Sequence, residues 1–182
     1  MEIIETGFAG LLLLQPYVHT DGRGYFYESY VKRQLDAAAG RVDFVQENQS
    51  RSSRGVVRGL HFQRPPHAQA KLVRVVEGTV LDVAVDLRRG SPTYGRHAAY
   101  ELSADNCRQL FIPRGFAHGF TVLSDTATFI YLCDNYYAPE SEGGIAWDDP
   151  ALGIDWKLGG LEPSLSDKDR RHPVLAEFDT PF

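Results

Sequence analysis

Hydrophobic residues recur along this chain with a period of two far more often than with the period of a helix. In "TVLDVAVDL", Leu81, Val83, Val85 and Leu87 alternate with Asp82, Ala84 and Asp86, which predicts a strand with one face in a core and the other toward water. "ATFIYLCDNYY" places Ala127, Phe129, Tyr131 and Cys133 on one face. "VVRGLHFQ" does the same with Val57, Gly59, His61 and Gln63, a polar face whose glycine lets a ligand approach the backbone. "KLVRVVEG", "QLFIP" and "GFTVL" read as further strands, and "RRGSPTYG" and "SADN" as turns. Helical patterns are confined to "YVKRQLDAAAG", stopped by Gly40, and "SLSDKDRR", opened by a serine cap. Many short strands, with short helices only near the N- and C-terminal ends, predict an all-β fold: an antiparallel sandwich or barrel of the jelly-roll kind.

No repeat, low-complexity segment or linker divides the 182 residues, so the expectation is one domain over 1–182. A net charge of -5 without a basic face excludes a nucleic-acid partner. The longest aliphatic run, Leu11 to Leu14, is too short to span a bilayer, and acidic residues precede it, so no membrane association and a cytoplasmic location are expected. Cys107 and Cys133 lie in separate strand-like segments without metal-ligand spacing and read as two buried thiols in a reducing compartment. One region runs against the overall acidity. Between Arg51 and Val76 stand Arg51, Arg54, Arg58, Arg64, Lys71 and Arg74, with no Asp or Glu among them. Such local placement predicts an anionic ligand.

Three residues in these strands carry candidate chemistry. His61 beside a fixed cation, Lys71, suits proton abstraction alpha to a carbonyl, because the cation stabilises the enolate oxygen as charge develops. Lys71 read alone is equally a solvated lysine at a strand edge. Tyr131 is either a core tyrosine or a general acid inside a barrel, and one residue does not separate the two. "IPRGFAHGF" is similar to the second motif of the cupin superfamily, jelly-roll barrels in which that histidine, here His118, points inward. Metal-binding cupins carry H-x-H followed by Glu. This chain has His61-Phe62-Gln63, leaving at most His61, Glu77 and His118, an incomplete set, so no metal is expected.

The blocks "DGRGYFYESY", "FVQENQSRSSRGVVRGLHFQ", "KLVRVVEGTVLDVAVDLRRGSPTYG", "FIPRGFAHGF", "NYYAPESEGGIAWDDP" and "LSDKD", in this order, resemble the dTDP-4-dehydrorhamnose 3,5-epimerase family over nearly the whole chain. The resemblance implies a metal-independent, cofactor-free homodimer that exchanges strands across its interface. It implies conversion of the dTDP-sugar substrate dTDP-4-dehydro-6-deoxy-D-glucose to dTDP-4-dehydro-L-rhamnose, on the route to surface polysaccharide. Carried over by motif, His61 is the base at C3 and C5, Asp169 orients it, Lys71 faces the C4 oxygen and Tyr131 reprotonates from the opposite face. Substrate contacts fall to Arg23, Glu28, Gln46, Glu47, Asn48, Arg58, Lys71, His118, Glu142 and Lys168, with Arg58 and its basic neighbours on the diphosphate. The pattern departs at Glu47, where Asp is usual, and at Leu132, where many members have Lys. Alternatives are a relative that inverts only C3 or only C5, a sugar-nucleotide binder without turnover, and a metal-dependent cupin oxygenase.

Overall fold

The computed structural model describes residues 1–182. Its strands are β1 (Glu2–Glu5), β2 (Leu12–Gln15), β3 (His19–Asp21), β4 (Gly24–Phe26), β5 (Gln46–Ser53), β6 (Val57–Gln63) and β7 (Lys71–Glu77). They continue with β8 (Thr79–Asp86), β9 (His97–Ser103), β10 (Gln109–Ile112), β11 (Phe116–Val122), β12 (Thr126–Cys133) and β13 (Glu142–Gly144). One helix, α1 (Lys32–Ala39), ends at Gly40. Two sheets of order β1-β2-β10-β7-β12-β5 and β13-β6-β11-β8-β9 form the jelly roll, and β3 and β4 make a separate hairpin.

Three apolar clusters account for the layering. Between the sheets lie Val73, Val75, Val80, Ala84, Phe116, Phe120 and Phe129 among others, with Phe120 and Phe129 stacked at 4.4 Å. The outer face of the five-stranded sheet presents Leu60, Phe62, Leu81, Val83 and Val85 to Ile145, Leu152 and Trp156 of the C-terminal segment. The outer face of the six-stranded sheet packs Leu12, Leu14, Leu72 and Phe111 against Leu35 of α1. Covering both faces corrects the half-buried reading of β8. Asp82 and Asp86 are fully buried, because the side opposite Leu81, Val83 and Val85 faces the barrel interior rather than water.

Three further expectations shift. Cys107 sits in a turn before β10 with φ of 54° rather than in a strand, although both cysteines are free and buried. The "SLSDKDRR" segment forms only a 3-10 turn, Asp169–Arg171, with the Asp169 amide donating to Ser166 Oγ at 3.2 Å. Strict alternation also fails in β6. Val57, Leu60 and Phe62 all join the outer cluster, because the pairing with β11 jumps from His61↔His118 to Arg58↔Phe120. There the strands come so close that a Cβ on Gly59 would lie 2.6 Å from Gly119 Cα, and one on Gly119 would lie 2.6 Å from the Arg58 carbonyl oxygen.

Asp86 caps the turn after β8. Burial opposes its ionisation, but hydrogen bonds from Arg88, Ser91 and Thr93 outweigh that and hold its carboxyl at about 2, against an ordinary 3.8. The donors Arg88 Nη2, Ser91 Oγ and Thr93 Oγ1 lie 2.7, 2.6 and 2.6 Å from its oxygens. A depressed carboxyl stabilises the fold above its unfolded value, and this contribution, about 2 kcal/mol, is lost as pH falls through the folded value. Asp86→Asn should therefore lower the unfolding free energy at neutral pH by about 2 kcal/mol. In urea titrations the gap from the parent should narrow as pH falls from 4 toward 2; a gap independent of pH would contradict the assignment.

Candidate active site

One end of the barrel interior is polar. A cavity of about 100 Å³ is lined by Gln46 and Asn48 of β5, His61 and Gln63 of β6, Gln69, Lys71 of β7, Tyr131 of β12, Tyr137 and Glu142. His61 and Lys71 come from different sheets, so they approach across the barrel rather than along one sheet as neighbouring strands. Lys71 shares a face with Val73 and Val75, which point into the core, and that excludes the reading of a solvated edge lysine. A roomier groove of about 610 Å³ lies outside the barrel among Leu81, Val122, Leu158 and Leu161, and its walls carry no imidazole.

His61 Nε2 lies 2.5 Å from Asp169 Oδ1. Asp169 is 4 % exposed; burial would raise its carboxyl, but the His61 hydrogen bond and charge, with Ser166 and His172, together outweigh that and hold it below its ordinary value. An ionised acceptor at Nε2 fixes the tautomer, with the proton on Nε2 and Nδ1 left as the basic nitrogen. Beside this pair the Lys168 ammonium meets Glu142, and the Tyr137 hydroxyl donates to the same Glu142 carboxylate at 2.9 Å. β13 pairs Glu142 with Gln63 and Gly144 with His61, so the C-terminal segment is strapped to β6 at both Asp169 and Lys168.

Across the cavity, the Lys71 ammonium lies 5.7 Å from the centre of the Tyr131 ring. Burial pushes Lys71 below an ordinary lysine, partly offset by Cys133, Asp82 and Glu142. Burial raises the Tyr131 phenol, with Arg58 and Asn48 opposing the rise. Desolvation thus moves both groups toward their neutral forms, and an anion entering the cavity would oppose that shift at Lys71. Arg58 turns to the same side as His61 because of the irregular β6–β11 pairing, and its Nε donates to Ser52 Oγ at 3.1 Å.

Other expected residues fall outside the cavity. His118 is 7 % exposed and sits deeper in the barrel, its Nε2 2.8 Å from Asp82 Oδ2. Glu47 points outward into a groove with Arg74, Leu72 and Leu132, since β5 alternates Gln46 and Asn48 inward. Leu132 joins the outer cluster around Leu72, so its departure from the family pattern does not touch the cavity. Arg23 pairs with Asp21 on the exposed β3–β4 hairpin, and Glu28 just beyond it is exposed; neither reaches the cavity of its own chain. The six-cation cluster also disperses. Arg51 pairs with Glu77, Arg54 approaches Asp125, Arg64 is exposed just past β6, and Arg74 lines the outer groove. That leaves Lys71 in the cavity wall and Arg58, itself exposed, against Ser52 of the facing sheet.

The sequence reading of a residual metal set does not survive. Glu77 is held by Arg51, Thr126 and Thr128, remote from His61. Gln63, where metal-binding cupins have histidine, spends its amide on protein backbone: Nε2 donates to the His67 and Tyr136 carbonyls at 2.7 and 3.1 Å, and Oε1 accepts from the Ala138 amide at 2.8 Å. The ligand atoms of His61, Asp169 and His172 do lie within 4.8 Å of one another. Tetrahedral donors about 2.1 Å from zinc would stand about 3.4 Å apart, and the 2.5 Å His61–Asp169 contact is a hydrogen bond, not such a spacing. Sequence reasoning missed Asp82, Gln69, Tyr137 and His172. Tyr137 lay within a quoted block, whereas Asp82 was assigned to solvent and His172 carried no signal.

Comparison with known proteins follows this geometry. The family model described as dTDP-4-dehydrorhamnose 3,5-epimerase matches residues 5–177. A protein of that name from Salmonella typhimurium is 52% identical over 176 residues, covering 96% of each chain. The 3,5-epimerase structure from Legionella pneumophila in complex with dTDP-4-keto-L-rhamnose is 48% identical, with a TM-score of 0.93 over 98% of this chain and 94% of that one. A 3'-monoepimerase from Streptomyces bikiniensis in complex with dTDP-quinovose is 38% identical, with a TM-score of 0.87 over 93% and 86%. The chain is an isomerase and belongs to the dTDP-4-dehydrorhamnose 3,5-epimerase family.

Proposed function

We propose that the chain, as one domain, inverts C3 and C5 of dTDP-4-dehydro-6-deoxy-D-glucose to give dTDP-4-dehydro-L-rhamnose, without a metal or cofactor. The observation that carries the reading is the 2.5 Å His61–Asp169 contact at the mouth of a cavity whose far wall holds Lys71 and Tyr131. The Legionella relative's complex with dTDP-4-keto-L-rhamnose supports the substrate class. His61 Nδ1 takes the proton alpha to the C4 ketone, and Asp169 stabilises the imidazolium. Lys71 stabilises the enolate oxygen in a site where desolvation strengthens the attraction. Tyr131 delivers a proton to the opposite face, which inversion requires. Arg58 pairs with the diphosphate, and Gln46, Asn48 and Glu142 complete the sugar contacts, with the Lys168–Glu142 pair closing one side. His118 supports the floor through Asp82 rather than touching the sugar in this geometry. No helix is long and apolar enough to cross a membrane; the cytoplasm is the proposed location because the substrate is a nucleotide sugar.

The hairpin supports a dimer. Tyr17, Tyr25 and Phe26 are 65, 65 and 68% exposed, an apolar surface that a partner would cover. Exchange of this arm would deliver Arg23 and Glu28 to the partner's cavity, and Glu47 on the outer groove would then lie toward the interface.

Incubation with the substrate in D2O, followed by NMR, should give deuterium at both C3 and C5 with an L-rhamno product. Exchange at one carbon alone means the narrower activity that the Streptomyces relative's name describes; none defeats the reading. His61→Asn should reduce exchange by about 10²–10⁴-fold, the usual worth of a general base. Tyr131→Phe should preserve exchange better than inversion, and equal losses would remove its acid role. Because burial depresses Lys71 while it raises Tyr131, the alkaline loss of activity should begin below the range of an ordinary lysine. An alkaline limb no lower than an ordinary lysine's would count against Lys71 acting as a charged group.

Sedimentation should give a dimer. Arg23→Ala and His61→Asn homodimers, each nearly inactive, should regain activity when mixed and re-equilibrated, because a crossing arm rebuilds one intact site. No recovery would place Arg23 outside the partner's site.

A further inference from the structure

His172 has no part in the chemistry described so far, yet its position is constrained from three sides. Its side chain is 11% exposed, and its Nε2 stands 3.9 Å from Asp169 Oδ1, the oxygen that His61 Nε2 holds at 2.5 Å. The two imidazoles meet edge to face, with centroids 5.7 Å apart and planes at 74°. Below the ring lies Gly144, where a Cβ would come within 2.5 Å of Nε2 and 2.7 Å of Cδ2 and Cε1. Gly144 is the β13 residue paired with His61, so the absent side chain leaves room for the second imidazole.

The His172 Nε2 is buried without a hydrogen-bond partner. A buried polar atom in that state is destabilising, and leucine would fill the same space without that cost. What the imidazole offers in addition is a dipole aimed at one carboxylate oxygen. The ionisable groups facing it are His61, Asp169, Lys168 and Glu142, and burial, reinforced by His61, keeps His172 below an ordinary histidine. A charged ring there would repel the His61 imidazolium. A neutral ring with its proton on Nε2 attracts the Asp169 oxygen without adding a charge.

We propose that His172 is a positioning residue for the His61–Asp169 pair, its neutral Nε2–H holding the shared Asp169 oxygen in place while His61 takes up and releases protons. This rests on His61 being the base. Two inversions require His61 to be charged and discharged twice per turnover, and each cycle changes its pull on Asp169. A second donor about 1 Å beyond hydrogen-bond range closes onto the oxygen when that pull weakens.

The tautomer of His172 is the direct test. In 15N-labelled protein, imidazole NMR should report a neutral ring protonated on Nε2 across the active pH range; an Nδ1–H tautomer or a charged ring overturns the proposal, whatever the catalytic result. His172→Leu should lower kcat for exchange roughly tenfold, the scale of a small misplacement of a reacting group, with KM little changed because His172 does not line the cavity. His172→Gln, which keeps an amide donor, should restore most of kcat. Gly144→Ala, which displaces the ring, should mimic His172→Leu and add little to it. Wild-type kcat in His172→Leu, or additive losses in the double variant, would overturn the positioning role. A wild type that exchanges no deuterium would instead defeat the epimerase reading and leave the NMR test standing.

Discussion

The close approach of β6 and β11 governs the rest of the site. Gly59 and Gly119 face each other where neither can carry a side chain, and Gly59 takes a φ of 135° in the left-handed half of the map. The register shift next to them lets Arg58 and His61, three residues apart, look into the barrel together. In an unbroken strand residues three apart face opposite ways. Without the irregularity the guanidinium would lie on the face of Leu60 and Phe62, under the C-terminal segment, rather than beside Ser52 of the facing sheet.

The C-terminal segment is the second dependency. Asp169 comes from a 3-10 turn, not from the barrel, and reaches His61 because Trp156, Leu165, Leu175 and Phe178 anchor the chain on the outer face of the five-stranded sheet. The Lys168–Glu142 pair and the Gln63 amide fasten neighbouring loops to the same end. Apolar burial outside the barrel therefore fixes polar geometry inside it. A change such as Trp156→Ala would act on the site through the Asp169 turn without touching a ligand.

Much of this was legible beforehand. The period of two found the strands, Gly40 marked the end of α1, and the motif order placed His61, Lys71, Tyr131 and Asp169 at one site. What escaped was whatever depends on three-dimensional closure. Asp82 was assigned to solvent because an alternating strand looks half exposed; a barrel buries its inner face too, and Asp82 survives there by bonding His118. Val57 looked to share the His61 face because a register shift leaves no local trace beyond a glycine. The six cations looked like one anion site because sequence proximity ignores the pleat, which sends Arg74 outward and Lys71 inward on the same strand. Arg23 and Glu28 lie on and just beyond an exposed hairpin that does not reach the cavity of its own chain.

The electrostatic design follows from these placements. Desolvation pushes Lys71 below an ordinary lysine and Tyr131 above an ordinary tyrosine, so both shift toward their neutral forms on one wall. On the opposite wall Asp169 stays ionised because His61 pays its desolvation with a short hydrogen bond. The cavity therefore separates an imidazole backed by a carboxylate from a phenol beside a desolvated ammonium. On the proposed reading, a bound diphosphate sugar would oppose the shift at Lys71, because a nearby negative charge favours its protonated form. Such a coupling between anion binding and the strength of a buried cation would need no moving part, because it follows from desolvation at Lys71 alone.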